Sequence, residues 1–190
     1  HELKDPSQQE VQRSYCVLGL WHEPVKRLSD IDMVSGTVTG NGHAFSCVHP
    51  SASYHFVLAL DRSASMTGQP WNQLKESVCA FMTSRQSVST SDKFSLVLYD
   101  NEAQIVAEYL DISAFNDNFL VFTGGWTVFS EALRKVDDAI RGHLDRSVIP
   151  VLLFMSDGGC GDGAAEMTSL SQQYRVDYKF ACYTIGFGSI

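Results

Sequence analysis

The run Tyr54-His55-Phe56-Val57-Leu58-Ala59-Leu60 is apolar at nearly every position and then stops at Asp61-Arg62-Ser63-Ala64-Ser65-Met66. Apolar side chains on both faces mark a strand covered from both sides, as parallel strands between two helix layers are. Asp61, Ser63 and Ser65 alternate directly after it, so three small oxygen-bearing side chains stand where a buried strand meets solvent. That arrangement is a candidate site for a hard cation, which prefers oxygen donors.

The rest of the chain alternates between strand and helix signals. Pro70 suits a first helical turn, and Trp71, Leu74, Val78, Phe81 and Met82 recur at helical spacing, predicting a helix over about 70–85. Phe94–Tyr99 and Gln104–Leu110 read as strands joined by the short turn Asp100-Asn101-Glu102, a hairpin that places one antiparallel edge strand on the sheet. A short amphipathic segment follows around Ile112, Phe115 and Phe119. Thr123-Gly124-Gly125-Trp126-Thr127 leads into a second helix whose Val128, Ala132, Leu133, Val136, Ala139 and Ile140 share a face. Val148–Met155 is a second buried strand, ending in Ser156-Asp157-Gly158-Gly159; Ala164–Tyr174 reads as a helix and Phe180–Phe187 as a last strand. Strands alternating with helices predict a doubly wound, Rossmann-like three-layer α/β/α fold, its sheet mostly parallel with one antiparallel edge strand. The chain stops directly after the last strand, so the C-terminal end of the domain is expected to be missing from it.

Residues 1–50 carry no helical period and read as a β-rich N-terminal extension, with 51–190 as the main domain. Cys16, His22, His43, Cys47 and His49 are zinc-capable residues in that arm, but their spacing matches no familiar closed site, so buried thiols and surface histidines are expected. The five cysteines are an odd number without a CxxC pair, and no Asn-x-Ser/Thr acceptor is present. Both observations favour reduced thiols and a cytoplasmic setting, with a Cys16–Cys47 bridge left open, and an extracellular one if a signal segment precedes His1. An apolar fraction of 44% is ample for a core, and a net charge of -8 argues against a nucleic-acid or anionic-membrane partner, which need a positive field. No apolar run reaches the roughly 18 to 20 residues of a membrane span.

Ligand sites in open α/β sheets form outside the carboxyl ends of the strands, so loops distant in sequence can converge there. Asp61, Ser63, Ser65, Thr127 and Asp157 all fall in such loops. Two carboxylates and three hydroxyls, with Cys160 as the one softer neighbour, suit Mg²⁺ or Mn²⁺, with Ca²⁺ possible.

These residues resemble the von Willebrand factor A-type (integrin I-like) domain with its metal-ion-dependent adhesion site, over about 53–190. Asp61-Arg62-Ser63-Ala64-Ser65 fits the family's DxSxS element, Gly125-Trp126-Thr127 its threonine loop, and Ser156-Asp157-Gly158 its T/S-D-G element. The resemblance implies that Ser63 and Ser65 coordinate the metal directly, Asp61 and Asp157 directly or through water, and Thr127 in one of two modes. It leaves the sixth position for a carboxylate of a protein partner, with Met66, Trp126 and Gly158 on the contact rim. Trp126 departs from the small residue frequent at its position and enlarges the rim, where exposed tryptophan is a common binding anchor. The C-terminal helix that controls the affinity switch in metal-regulated members of the family is not in this chain, so the sequence carries no argument for or against a switch.

Other readings compete. Asp61, Ser63 and Ser65, or Thr127, could simply cap the helices that follow them. Gly159-Cys160-Gly161-Asp162-Gly163-Ala164 formally matches GxGxxA, but Asp157 and Asp162 would place negative charge beside a pyrophosphate. No G-x-S-x-G elbow, HExxH or P-loop is present, which disfavours an enzyme. The alternative function is a structural scaffold in a larger multidomain protein, the metal only stapling the loops.

Overall fold

The computed structural model describes residues 53–159 and 161–187, together with four short strands in the N-terminal arm. The chain divides into two compact units, His1–Ser51 and Ala52–Ile190. In the first, β1 (Glu2–Lys4) pairs antiparallel with β2 (Val11–Arg13), and β3 (Thr37–Val38) with β4 (Ala44–Phe45). Cys16, His22, His43, Cys47 and His49 lie outside the described residues, as does Cys160.

The second unit runs β5 (Ser53–Asp61), α1 (Gln69–Val88), β6 (Lys93–Tyr99), β7 (Ala103–Asp111), α2 (Phe129–Arg141), β8 (Val148–Ser156), α3 (Ala164–Tyr178) and β9 (Ala181–Gly186). Its sheet has the order β7-β6-β5-β8-β9. Every pairing is parallel except β6 with the edge strand β7. The doubly wound fold with one antiparallel edge is therefore present as expected.

Alternation along β5 explains the layers. Phe56, Leu58 and Leu60 face the α1 side, where Trp71, Leu74, Val78 and Met82 present one stripe of that helix. Val57 and Ala59 face the other side, against Ala132, Leu133 and Val136 of α2 and Leu170 and Tyr174 of α3. Burying a single such aliphatic or aromatic side chain contributes about 1.5–3 kcal/mol, so a strand covered on both faces is a strong organising element. The amphipathic segment beyond β7 forms two 3-10 turns, Ile112–Ala114 and Asp117–Phe119, and packs Ile112, Phe115 and Phe119 on the α1 side.

His55 is buried, with Nε2 2.8 Å from Ser95 Oγ. Ser95 Oγ also accepts the Tyr109 N–H at 2.9 Å. Tyr109 stands at φ +49° within the register shift between the Leu96–Ala107 and Phe94–Leu110 pairs of β6 and β7, and its ring stacks on His143. Burial, then the neighbouring His143, drives the His55 pKa down to about 3.

Because β5, β6 and β8 run parallel, their carboxyl ends reach the same edge of the sheet. Asp61, Asp100 and Asp157 stand at or immediately after those ends, and this register assembles the site described next.

Candidate functional site

The site begins with Asp61, the last residue of β5 and fully buried. Its Oδ1 accepts the Ser63 N–H at 2.9 Å, which turns the chain so that Ser63 faces inward. Its Oδ2 accepts the Ser156 hydroxyl at 2.6 Å, tying the ends of β5 and β8 together. Ser63 Oγ lies 3.0 Å from Ser65 Oγ, and Ser65 Oγ donates to Asp157 Oδ1 at 2.9 Å. Asp61, Ser63, Ser65 and Asp157 thus form one connected arc of oxygens that runs from a buried carboxylate to exposed Ser65.

The threonine loop is held against this arc by its backbone. Gly124 N–H donates to Arg62 O at 2.9 Å and Ala64 N–H donates to Gly125 O at 2.8 Å, making a parallel bridge between Ser63 and Gly125. Gly124 has φ +84°, a conformation that favours glycine. Thr127 follows two residues after this bridge and is half-buried. Val128 N–H then donates to Asp100 O at 3.0 Å, anchoring the loop's far end.

The capping readings fare poorly. The Ser63 side chain caps nothing at the 3-10 turn it precedes, and the residue preceding α1 is Gly68. At α2 the capping position is Val128, and the first amides are taken by Asp162, whose two carboxylate oxygens accept Phe129 N–H at 3.1 Å and Ser130 N–H at 2.9 Å. A carboxylate at a helix N-terminus also complements the helix dipole. Gly163, the last glycine of the GxGxxA string, has φ +89°, and a Cβ there would meet Phe129 Cβ at 2.9 Å. Close approach to α2 accounts for this glycine without a pyrophosphate.

The rim differs from expectation at one position. Met66 is fully buried and belongs to the core on the α1 side, so it cannot touch a partner. The inward turn at Ser63 and the following 3-10 turn carry its side chain beneath the loop instead of over it. Gly158 is exposed, and Trp126 is 84% exposed, the largest apolar side chain standing in solvent among the described residues.

Sequence reading passed over Asp100, treating it only as part of a hairpin turn. Asp100 is buried, and its Oδ2 accepts the Thr123 hydroxyl at 2.6 Å and lies 3.3 Å from Arg62 Nε. Burial pushes the Asp100 carboxyl up, but the Thr123 hydroxyl, backbone N–H groups and the Arg62 guanidinium outweigh it and hold the group below its ordinary value. The available signal was a repeat of the Asp61 pattern: an apolar strand closed by an aspartate.

Among the described residues, no three His, Cys, Asp or Glu side chains gather as a metal cage. The described residues place serine hydroxyls beside the Asp61 and Asp157 carboxylates at this edge. Such a donor set fits Mg²⁺ or Mn²⁺, which retain waters and bind through one or two carboxylates.

A doubly wound sheet with polar loops gathered at its carboxyl edge defines an α/β domain of the Rossmann-like class. The family model for the von Willebrand factor type A domain matches residues 56–190, and the chain belongs to that family. Its domains generally act as protein-interaction modules. Similar solved structures include an aerotolerance-related membrane protein from Bacteroides fragilis NCTC 9343, crystallised with multiple mutations to serines (15% identity, TM-score 0.53, covering 72% of this chain and 68% of that one). A von Willebrand factor type A protein from Catenulispora acidiphila is 18% identical with TM-score 0.53, over 71% of this chain and 34% of that one. The conserved hypothetical protein BatB from Bacteroides thetaiotaomicron is 15% identical with TM-score 0.54, over 70% of this chain and 66% of that one. These likenesses are of fold. No curated protein matches the sequence significantly. Among the described residues, no helix is long and apolar enough to cross a membrane.

Proposed function

We propose that this domain binds a divalent cation, Mg²⁺ or Mn²⁺, through Asp61, Ser63, Ser65, Thr127 and Asp157, and uses it to dock an acidic side chain of a partner protein. The observation that carries the reading is the oxygen arc linking Asp61, Ser63, Ser65 and Asp157 at the sheet's carboxyl edge. It joins two loops 92 residues apart through Ser65 and Asp157. A bound cation supplies a local positive charge on a chain of net charge -8, which is what a carboxylate needs in order to approach it. Trp126 and Gly158 flank the docking point, and Trp126 adds apolar contact area beside the charge. The role proposed for the domain is recognition.

The scaffold reading draws on a specific observation too. Ser156–Asp61 and Ser65–Asp157 already bond the loops directly, so the fold needs no ion to close them. Partner capture from native extract, in Mg²⁺ and again in EDTA, separates the two. Capture lost in EDTA and in Asp61→Ala supports metal-dependent docking; capture indifferent to both supports the scaffold.

A further inference from the structure

We infer that Asp100, which is not among the proposed metal ligands, is a positioning residue that sets the distance between the two loops meant to share the ion. The inference rests on the metal-docking reading above. Asp100 belongs to the β6–β7 turn, a segment that contributes no ligand, yet it contacts both ligand loops at once, one by an ion pair and the other by hydrogen bonds. Toward the first loop, its Oδ2 lies 3.3 Å from Arg62 Nε, between Asp61 and Ser63. Toward the second, the same oxygen accepts the Thr123 hydroxyl at 2.6 Å, and its backbone carbonyl accepts Val128 N–H at 3.0 Å. Thr127 therefore lies between two anchors made by one residue.

Asp100 is itself held rigidly, which a positioning group requires. It is 6% exposed, and its Oδ1 accepts Glu102 N–H at 3.0 Å. Arg62 Nε is buried and makes no hydrogen bond of acceptable geometry, so the Asp100 carboxylate is its charge partner, not merely one of several acceptors. The packing is close on the second side also: a Cβ on Gly125 would come within 3.0 Å of Asp100 Cβ and Cγ. The threonine loop is thus pressed against Asp100 as well as bonded to it. Residues that orient metal ligands without touching the metal typically change affinity by about 10–100-fold when replaced, and Asp100 has the contacts for that role.

The test uses the full 190-residue chain with Mn²⁺ as probe, its binding followed by calorimetry and by the EPR signal of free Mn²⁺. Asp100→Asn removes the charge facing Arg62, whereas Thr123→Val removes only the hydroxyl bond and leaves the Arg62 pair intact. About a tenfold weaker Mn²⁺ affinity is expected for Asp100→Asn, with a smaller loss for Thr123→Val. The double variant should lose less than the sum, because both changes cut the same link. Without metal, faster hydrogen exchange at the Gly124 and Ala64 amides should accompany both single changes, since those amides bridge the loops. If Asp100→Asn does not fold, Thr123→Val decides alone by the same two readouts. Mn²⁺ affinity within twofold of wild type and unchanged exchange in the folded variants overturn the positioning role while leaving the metal reading intact. A wild-type chain that binds no Mn²⁺ overturns both.

Discussion

Ser156 Oγ donates to Asp61 Oδ2 at 2.6 Å, joining the last residues of two adjacent parallel strands at the floor of the candidate site. Both groups are buried, so neither has ready access to replacement by water. Ser156→Ala is expected to cost about 1–3 kcal/mol, the usual penalty for leaving a buried acceptor short of a donor. Urea unfolding of the variant against wild type measures it through the shift in midpoint at constant slope.

If the proposed site takes up Mg²⁺, the ion should raise the melting temperature, because it would bind the folded site and not the unfolded chain. At a hundredfold excess over its dissociation constant the gain is about 2.7 kcal/mol. Asp61→Ala should abolish the shift. A wild-type melting curve identical in saturating Mg²⁺ and in EDTA would count against any ion at this edge.

Trp126→Ala should leave stability within about 0.5 kcal/mol of wild type, since a side chain 84% exposed loses little packing. Partner affinity should fall by tenfold or more, about 1.4 kcal/mol or above, if Trp126 is an anchor of the interface. Unchanged affinity in a surface-binding measurement would remove it from the rim.

Gly125→Ala tests loop packing. The added Cβ would lie 2.3 Å from Asn101 Oδ1 and 3.0 Å from Asp100 Cβ, so the side chain of Asn101 must swing away and the loop must shift. A loss of about 1–3 kcal/mol is expected, as for other overpacked positions. The amide resonances of Arg62 to Ser65, across the bridge, should move with it.

The His55 pKa of about 3 lies below the ordinary histidine value, so the unfolded chain takes up this proton first as pH falls. Stability from the buried neutral ring is fully present above about pH 6.5, the unperturbed value, and declines as pH drops toward 3. One such group gives a slope of up to about 1.4 kcal/mol per pH unit in that window. His143, Glu108, Lys93 and Asp145 are the other charged or titratable side chains of the same region. The His55-specific part is the difference in slope between wild type and His55→Gln, expected to equal about one proton between pH 4 and 6. Equal slopes would mean that the ring is protonated in the folded state.

Much of the fold was legible because the physics behind it is local. The stretch from Tyr54 to Leu60 is apolar on both faces, Trp71, Leu74, Val78 and Met82 repeat at helical spacing, and the turn from Asp100 to Glu102 is too short for anything but a hairpin. The ends were less sharp: α3 continues to Tyr178, where Lys179 adopts φ +57° and its N–H bonds back to Tyr174 O, a closure that no composition signal announces. The order of Asp61, Thr127 and Asp157 along the chain was readable as a family pattern. The burial of Met66 was not, because the direction of one side chain after an Asp61-to-Ser63 turn depends on the hydrogen bonds that shape the turn.

What the sequence by itself determined is therefore the set of elements, their alternation, and the oxygen-bearing residues at strand ends, since periodicity and residue chemistry are written in the chain. Only the tertiary structure decided how the loops are held together: Asp61 to Ser156, Ser65 to Asp157, Asp100 to Arg62 and Thr123, and Asp162 to the first amides of α2. Each of these joins residues from 23 to 95 positions apart. Such pairings arise from the parallel register of β5, β6 and β8, which brings distant strand ends to one edge, and register is a property of packed strands and not of any one of them.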